Sequence, residues 1–232
     1  LLGADRDAAY QLEELACDIG YPVERVKELV SVGDAITFQP LKPLKLQNEL
    51  VASKTMDDRA LVSCMCDAME MLRSRLLSCT VVFCATVQEE VGCFGAAAAG
   101  YHVNPDIGIA MDVSHAPTPD APTYRTTPID KVCMTRGGNI HPGVFQMLSD
   151  AAKRCNIPFE PTVVLGGTGT DARTLQLQQN GIPTGLLELP LKYMHTSVEV
   201  GSLETLHNCA KILTECFAAI GDGWEDALCW ND

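Results

Sequence analysis

Residues 79–113 read CTVVFCATVQEEVGCFGAAAAGYHVNPDIGIAMDV, and this stretch decides the fold class. Cys79 to Val87 is a nearly unbroken apolar and β-branched run, which predicts a strand. Gly92 to Gly100 is a small-residue segment that suits a helix, and Ile107 to Val113 is a second apolar strand. Strands with no polar face are buried on both sides, so helices must cover both faces of the sheet they build. Strand, helix and strand in alternation is the signature of an α/β protein.

The same rhythm extends in both directions. Asp58 to Leu77 has helical spacing, Ile129 to Met134 and Thr162 to Leu165 read as strands, and His141-Pro142 opens a helix that runs to Cys155 with proline in its first turn. Thr170 caps a helix ending near Asn180-Gly181, Pro183 to Leu189 is a strand, and Leu203 to Ile220 is the closing helix. The expected architecture is α/β, with a mixed, largely parallel sheet sandwiched by helices. Before residue 53 the pattern is fragmentary: helical spacing from Asp5 to Cys17 and from Val23 to Val30, then a strand-like Ala35 to Phe38 broken by Pro40 and Pro43. Segments 1–52, 53–220 and 221–232 are therefore read as separate parts, the last a tail with Trp224 and Trp230 among acids.

Composition narrows the function. The chain of 232 residues has 30 acidic and 17 basic side chains, a formal charge of −13, and no basic run of the kind that a phosphate backbone requires. Nucleic acid is not an expected partner. Apolar residues make up 47% of the chain, too many for a disordered one, yet no apolar run is long enough to cross a bilayer, so no membrane partner is expected either. The 11 cysteines are odd in number and scattered, without a C-x-x-C pair, and read as small core residues of a cytoplasmic protein. Cys64 and Cys66 are two apart on a helix, so their side chains diverge.

Acids fall where apolar strands or loops meet helices: Asp57-Asp58, Glu89-Glu90 and Asp112, with His195 following the strand that ends at Leu189. Ligands bind at the carboxyl ends of strands in open α/β sheets, so these side chains should converge on one rim. Carboxylates with an imidazole form a donor set for a divalent cation. Neighbouring acids in extended backbone point in opposite directions, so one can bind metal while the other faces the reaction. Taken alone, Asp57 and Asp58 read equally well as a helix cap with a first-turn acid.

Five motifs together carry a resemblance: Met56-Asp57-Asp58-Arg59, Thr86 to Gly92, Ile107 to Asp112, Gly169-Thr170-Asp171-Ala172 and Tyr193 to Val200. In this order they resemble the tetrahedral aminopeptidases, the glutamyl-aminopeptidase and deblocking-aminopeptidase family of cocatalytic metallopeptidases. The resemblance spans roughly residues 33–220 and implies a zinc-exopeptidase type of sheet, with residues 1–52 a remnant of a small β-rich dimerisation domain. It implies two divalent ions, zinc or cobalt, with Asp57 as bridging ligand, Glu90 and His195 completing one site and Asp112 the other. Glu89 would be the general base and acid acting on a metal-bridging hydroxide. Asp58 would be a supporting acid joined to Asp57 by a cis peptide. Peptide substrates and self-association follow from the same resemblance.

The departures from the family are specific. Its fifth ligand is a histidine in a His-x-Asp motif upstream of the double aspartate, whereas the first histidine here is His102. The alternative reading is thus a non-catalytic or metal-deficient assembly subunit of the same fold. The chain opens at Leu1 without methionine, and the first catalytic strands are expected to precede it. His141 reads as a helix cap in preference to a ligand, Thr170 and Asp171 match a loop near the site without an assigned role, and Arg136, Arg173 and Lys192 are candidate anchors for an acidic substrate.

Overall fold

The computed structural model describes residues 11–39, 42–119, 121 and 125–229. They fall into two compact units, Leu1–Gln39 and Pro40–Asp232. Among its described residues the first unit holds a 3-10 turn, Leu12–Glu14, and helix α1 (Val23–Leu29), which buries none of its residues. The helix expected from Asp5 to Cys17 is reduced to that turn in its described part, and residues 5–10 lie outside the described residues. Leu15 is exposed there, and a short helix with no apolar face to bury is marginal in water. Among the described residues Ala35 to Phe38 has no ladder partner and forms no strand, with Ile36 and Phe38 exposed.

The second unit contains, in order, β1 (Leu44–Lys45), β2 (Leu50–Ser53), α2 (Met56–Leu72), α3 (Phe94–Val103), β3 (Gly108–His115), β4 (Val132–Gly137), α4 (Pro142–Arg154), β5 (Phe159–Val164), α5 (Asp171–Leu175), β6 (Thr184–Leu191), β7 (Glu199–Ser202) and α6 (Leu203–Ala218). The larger sheet has strand order β3-β6-β4-β5. The β3/β6 and β4/β5 pairs are parallel and β6/β4 is antiparallel, so the sheet is mixed and largely parallel. Every residue of β6 is buried, as a central strand covered on both faces must be. Leu186, Leu187 and Leu189 of β6 share one core with Leu61 and Ala68 of α2, Leu148 of α4 and Ile212 and Leu213 of α6. Gly185 lets α4 approach closely, since a Cβ there would stand 2.6 Å from Cγ1 of Val144.

Cys79 to Val87, read as a doubly buried strand, departs from that expectation. Among the described residues it has no ladder partner, and Val87 is 67% exposed. Side chains hold it instead: Phe83 meets Phe217 edge to face at 6.1 Å, and Cys79 Sγ donates to the Phe217 carbonyl at 3.8 Å. Helix α5 stops at Leu175 rather than near Asn180, because Leu177 and Gln178 donate to carbonyls three residues back and Gln179 has φ 52.

A second sheet, β1-β2-β7, is antiparallel, and the sequence pattern did not reveal it. Its pairing sets Leu50 against Ser202 and Ser53 against Glu199, so the strand leading into Asp57 lies beside the strand that follows His195. This places the two motifs next to each other.

All eleven cysteines are free. Cys64 is buried and Cys66 exposed, as their spacing on α2 requires. Burial pushes the thiols of Cys64, Cys133 and Cys216 up to about 12 and that of Cys209 well above its ordinary value. Among the described residues no helix is long and apolar enough to cross a membrane.

Candidate metal centre

Helix α2 starts irregularly, and the irregularity separates the two aspartates. Thr55 has left-handed backbone at φ 57, Asp57 and Asp58 are non-helical, and the peptide between them is cis, as the resemblance implies. Asp58 turns inward, where its Oδ1 accepts the Leu61 amide at 3.3 Å in the manner of a helix cap. Asp57 turns the other way, and its Oδ2 lies 2.9 Å from Nε2 of His195. Of the two readings that the sequence left open, the helix-cap contact falls to Asp58, and the Asp57 carboxylate lies beside His195.

His195 sits in the loop between β6 and β7, where Tyr193 and His195 both have left-handed backbone, at φ 59 and φ 62. Its Nε2 is also 3.6 Å from Oε2 of Glu90. Glu89 and Glu90 occupy a turn begun by Gln88 at φ 61 and closed by the amides of Gly92 and Cys93, both 3.0 Å from the Glu89 carbonyl. The turn sends the two acids apart. Glu90 joins Asp57 and His195, with one donor atom from each within 4.8 Å of the others, while Glu89 stands with Cys93 and Asp171 in a second group of the same tightness. Cys93 Sγ donates to Oε1 of Glu89 at 3.6 Å.

Asp112, 8% exposed, lies inside β3, which runs on to His115 rather than ending near Asp112 as the sequence suggested, and it accepts the Val113 amide at 2.8 Å. It is not part of the three-residue cluster among the described residues. Its carboxyl is pushed up to about 8, chiefly by burial and then by the charges of Glu89, Asp57 and Glu188. Burial and the charge of Asp112 push Asp58 up to about 9. Asp57 is raised first by burial and then by Glu90, with His195 opposing, and Glu89 is raised mainly by burial. Acids crowded so that each resists ionisation form a site whose cost a cation offsets. Asp57, Glu90 and His195 fit a divalent cation by their donor chemistry, two carboxylates and an imidazole.

Other sequence candidates have structural roles. His141 is the N-cap of α4, with Nδ1 accepting the Gly143 amide at 3.1 Å and a further hydrogen bond to the backbone of Leu228. Thr170 caps α5, its Oγ1 accepting the Ala172 amide at 3.3 Å. Asp171 accepts the Thr86 hydroxyl at 2.5 Å, which ties segment 79–87 to α5. Arg136 stacks over the Phe145 ring at 4.8 Å, and Lys192 pairs its backbone with Val200.

One residue lies within the motif Tyr193 to Val200 yet has no role assigned from the sequence. Glu199, only 2% exposed, accepts the amides of Met56 at 2.5 Å and Asp57 at 3.1 Å on Oε2, and of His195 at 3.2 Å on Oε1. The available signal was a lone acid between Val198 and Val200, close after His195.

Comparison with known proteins agrees with this fold. Residues 2–212 match the family described as M42 glutamyl aminopeptidase. A lysyl aminopeptidase of Pyrococcus furiosus is 32% identical over 173 residues, 72% of this chain and 48% of that protein. The structure of an aminopeptidase from the archaeon Desulfurococcus kamchatkensis superposes with TM-score 0.84 at 30% identity, covering 98% of this chain and 64% of that one. The TET1 peptidase of Pyrococcus horikoshii, which assembles into a tetrahedron or a large octahedral shell, gives TM-score 0.70 at 25% identity over 85% of this chain and 58% of that one. The chain spans about half to three fifths of the length of the curated relatives it matches. Sequence and fold lead to one conclusion: this chain belongs to the M42 glutamyl aminopeptidase family.

Proposed function

We propose that this chain carries the hydrolytic centre of a metal-dependent aminopeptidase that releases N-terminal residues from peptides. The observation that carries the reading is the convergence of Asp57, Glu90 and His195, from three separate segments, within 4.8 Å. Asp57, Glu90 and His195 would hold one divalent cation, and Asp57 with Asp112 a second. Zinc or cobalt bound there would supply an acidified water and a Lewis acid for the peptide carbonyl.

Glu89 does the proton work. Its neighbour Glu90 faces His195, while the Glu89 carboxylate, whose hydrogen-bond donor among the described residues is the weak Cys93 thiol at 3.6 Å, would take a proton from water and return it to the leaving amine. Burial raises its pKa, which brings it nearer to the working pH of a group that must act as base and then as acid. Asp58, hydrogen-bonded to the helix backbone, holds the turn from which Asp57 projects. Residues 1–52 would serve as part of a dimerisation domain, 53–220 as the catalytic domain and 221–232 as a tail. Self-association fits the family, and free thiols fit a cytoplasmic setting.

Glu89→Gln keeps the shape of the side chain but removes the base. Turnover of aminoacyl anilides should fall at least ~100-fold while metal content measured by elemental analysis stays unchanged. A wild-type rate in that variant would overturn the assignment. Elemental analysis of the unmodified chain separates the alternative: less than one ion per chain with no turnover would favour an assembly subunit.

A further inference from the structure

Asp57 and His195 are 138 residues apart in sequence, and each hangs from irregular backbone. Thr55 before Asp57, and Tyr193 and His195 itself, have left-handed backbone without being glycine. Such conformations persist where surrounding structure fixes them. Arg59 donates to the Thr55 carbonyl and Thr196 to the Tyr193 carbonyl, and one carboxylate bonds backbone at both places. Oε2 of Glu199 accepts the Met56 and Asp57 amides at 2.5 and 3.1 Å, and Oε1 accepts the His195 amide at 3.2 Å.

We propose that Glu199 is a positioning residue, whose carboxylate locks the backbones of Asp57 and His195 so that Oδ2 and Nε2 meet at one point for a divalent cation. The proposal rests on the metal-centre reading above. The chemistry of the clamp is specific. Three N–H donors converge on one side chain, and a carboxylate offers acceptors at both oxygens and no donor. A glutamine in its place must point its amide hydrogens at one of those N–H groups. An aspartate keeps the charge but falls one methylene short. Strand pairing delivers the clamp: Ser53 of β2 lies opposite Glu199 of β7, two strands that adjoin the two loops. A buried acid would be costly unless bonded, and here it has three partners. Its cost and its position have the same explanation.

The test is a cobalt(II) titration of the 232-residue chain, followed by visible absorption, for wild type, Glu199→Gln, Glu199→Asp and Ser202→Ala. Ser202 caps α6 through the Thr205 amide at 3.1 Å and serves as a control for stability loss nearby. Glu199→Gln should weaken cobalt binding ~10- to 100-fold, as loss of an outer partner of a metal ligand does, and change the absorption band. Glu199→Asp should fall between it and wild type, and Ser202→Ala should bind as wild type does. In metal-free protein, at least one of the Met56, Asp57 and His195 amide proton resonances should move upfield in Glu199→Gln while the far-ultraviolet circular dichroism is unchanged.

Wild-type affinity with unmoved amides in Glu199→Gln would overturn the proposal, as would an equal loss in Ser202→Ala. If Glu199→Gln does not fold, Glu199→Asp decides: undiminished cobalt affinity in a folded variant overturns the clamp. No cobalt binding by the wild-type chain would overturn the metal centre itself, and the clamp with it.

Discussion

Glu188 carries a pH signal at the scale of single residues. It lies in the central strand β6, buried, accepting the Thr135 hydroxyl at 2.5 Å and the Cys133 thiol at 3.3 Å. Burial raises its pKa above the ordinary glutamate value, and the two hydrogen bonds only partly oppose this. A group with a raised folded pKa contributes stability that is full below its unfolded pKa and is lost as pH rises through the folded one. Glu188→Gln keeps both acceptor contacts and removes the ionisation. Above pH ~4.5 its thermal midpoint should therefore fall less steeply with pH than that of wild type. Parallel slopes would refute the assignment. Asp57, Glu90 and His195 were candidates from the sequence because acids and an imidazole recur where apolar runs or loops meet helices and because five motifs in order singled them out. The roles of Glu188 and of Glu199, the latter quoted within its motif, were not legible, because strand periodicity does not tell which inward position will meet hydroxyls or amides from other elements.

Helix α4 shows how an element is fixed from outside its own sequence. His141 caps it, Pro142 starts it, and the segment Trp224–Leu228 packs against its first turn. That packing depends on Gly143, where a Cβ would overlap the Ala227 carbonyl oxygen. Alanine improves an isolated helix by up to ~1 kcal/mol relative to glycine, so Gly143→Ala should leave α4 intact yet push residues 224–228 away. Limited proteolysis should then cut near residues 221–229 faster than in wild type, and an unchanged cleavage rate would refute the contact. The sequence made the ends of α4 legible because caps and prolines act locally. It misled at segment 79–87, since an apolar run reports burial potential but not whether a neighbouring strand supplies the ladder. The pairing of β2 with β7 was invisible for a related reason: it joins residues about 150 positions apart, and neither strand has a strong apolar pattern.

At the scale of the molecule, alternation of strands and helices gave the α/β class, and the order of five motifs gave the family. Neither reveals how the sheet is wired, which depends on long-range hydrogen bonds such as the antiparallel β4/β6 contact. The distribution of thiols follows the wiring. Cys17, Cys66, Cys84 and Cys229 are exposed, whereas Cys64 of α2 and Cys209 and Cys216 of α6 are buried with raised pKa values. A maleimide at neutral pH should modify the exposed set quickly and spare the buried set in native protein, since the thiolate is the reactive form. Mass spectrometry of each peptide along a urea series would follow this, and rapid native labelling of Cys209 would contradict the packing of α6. The cysteines therefore form a built-in gauge of opening between the two helices, readable in the protein as it stands, with neither a substrate nor an added dye.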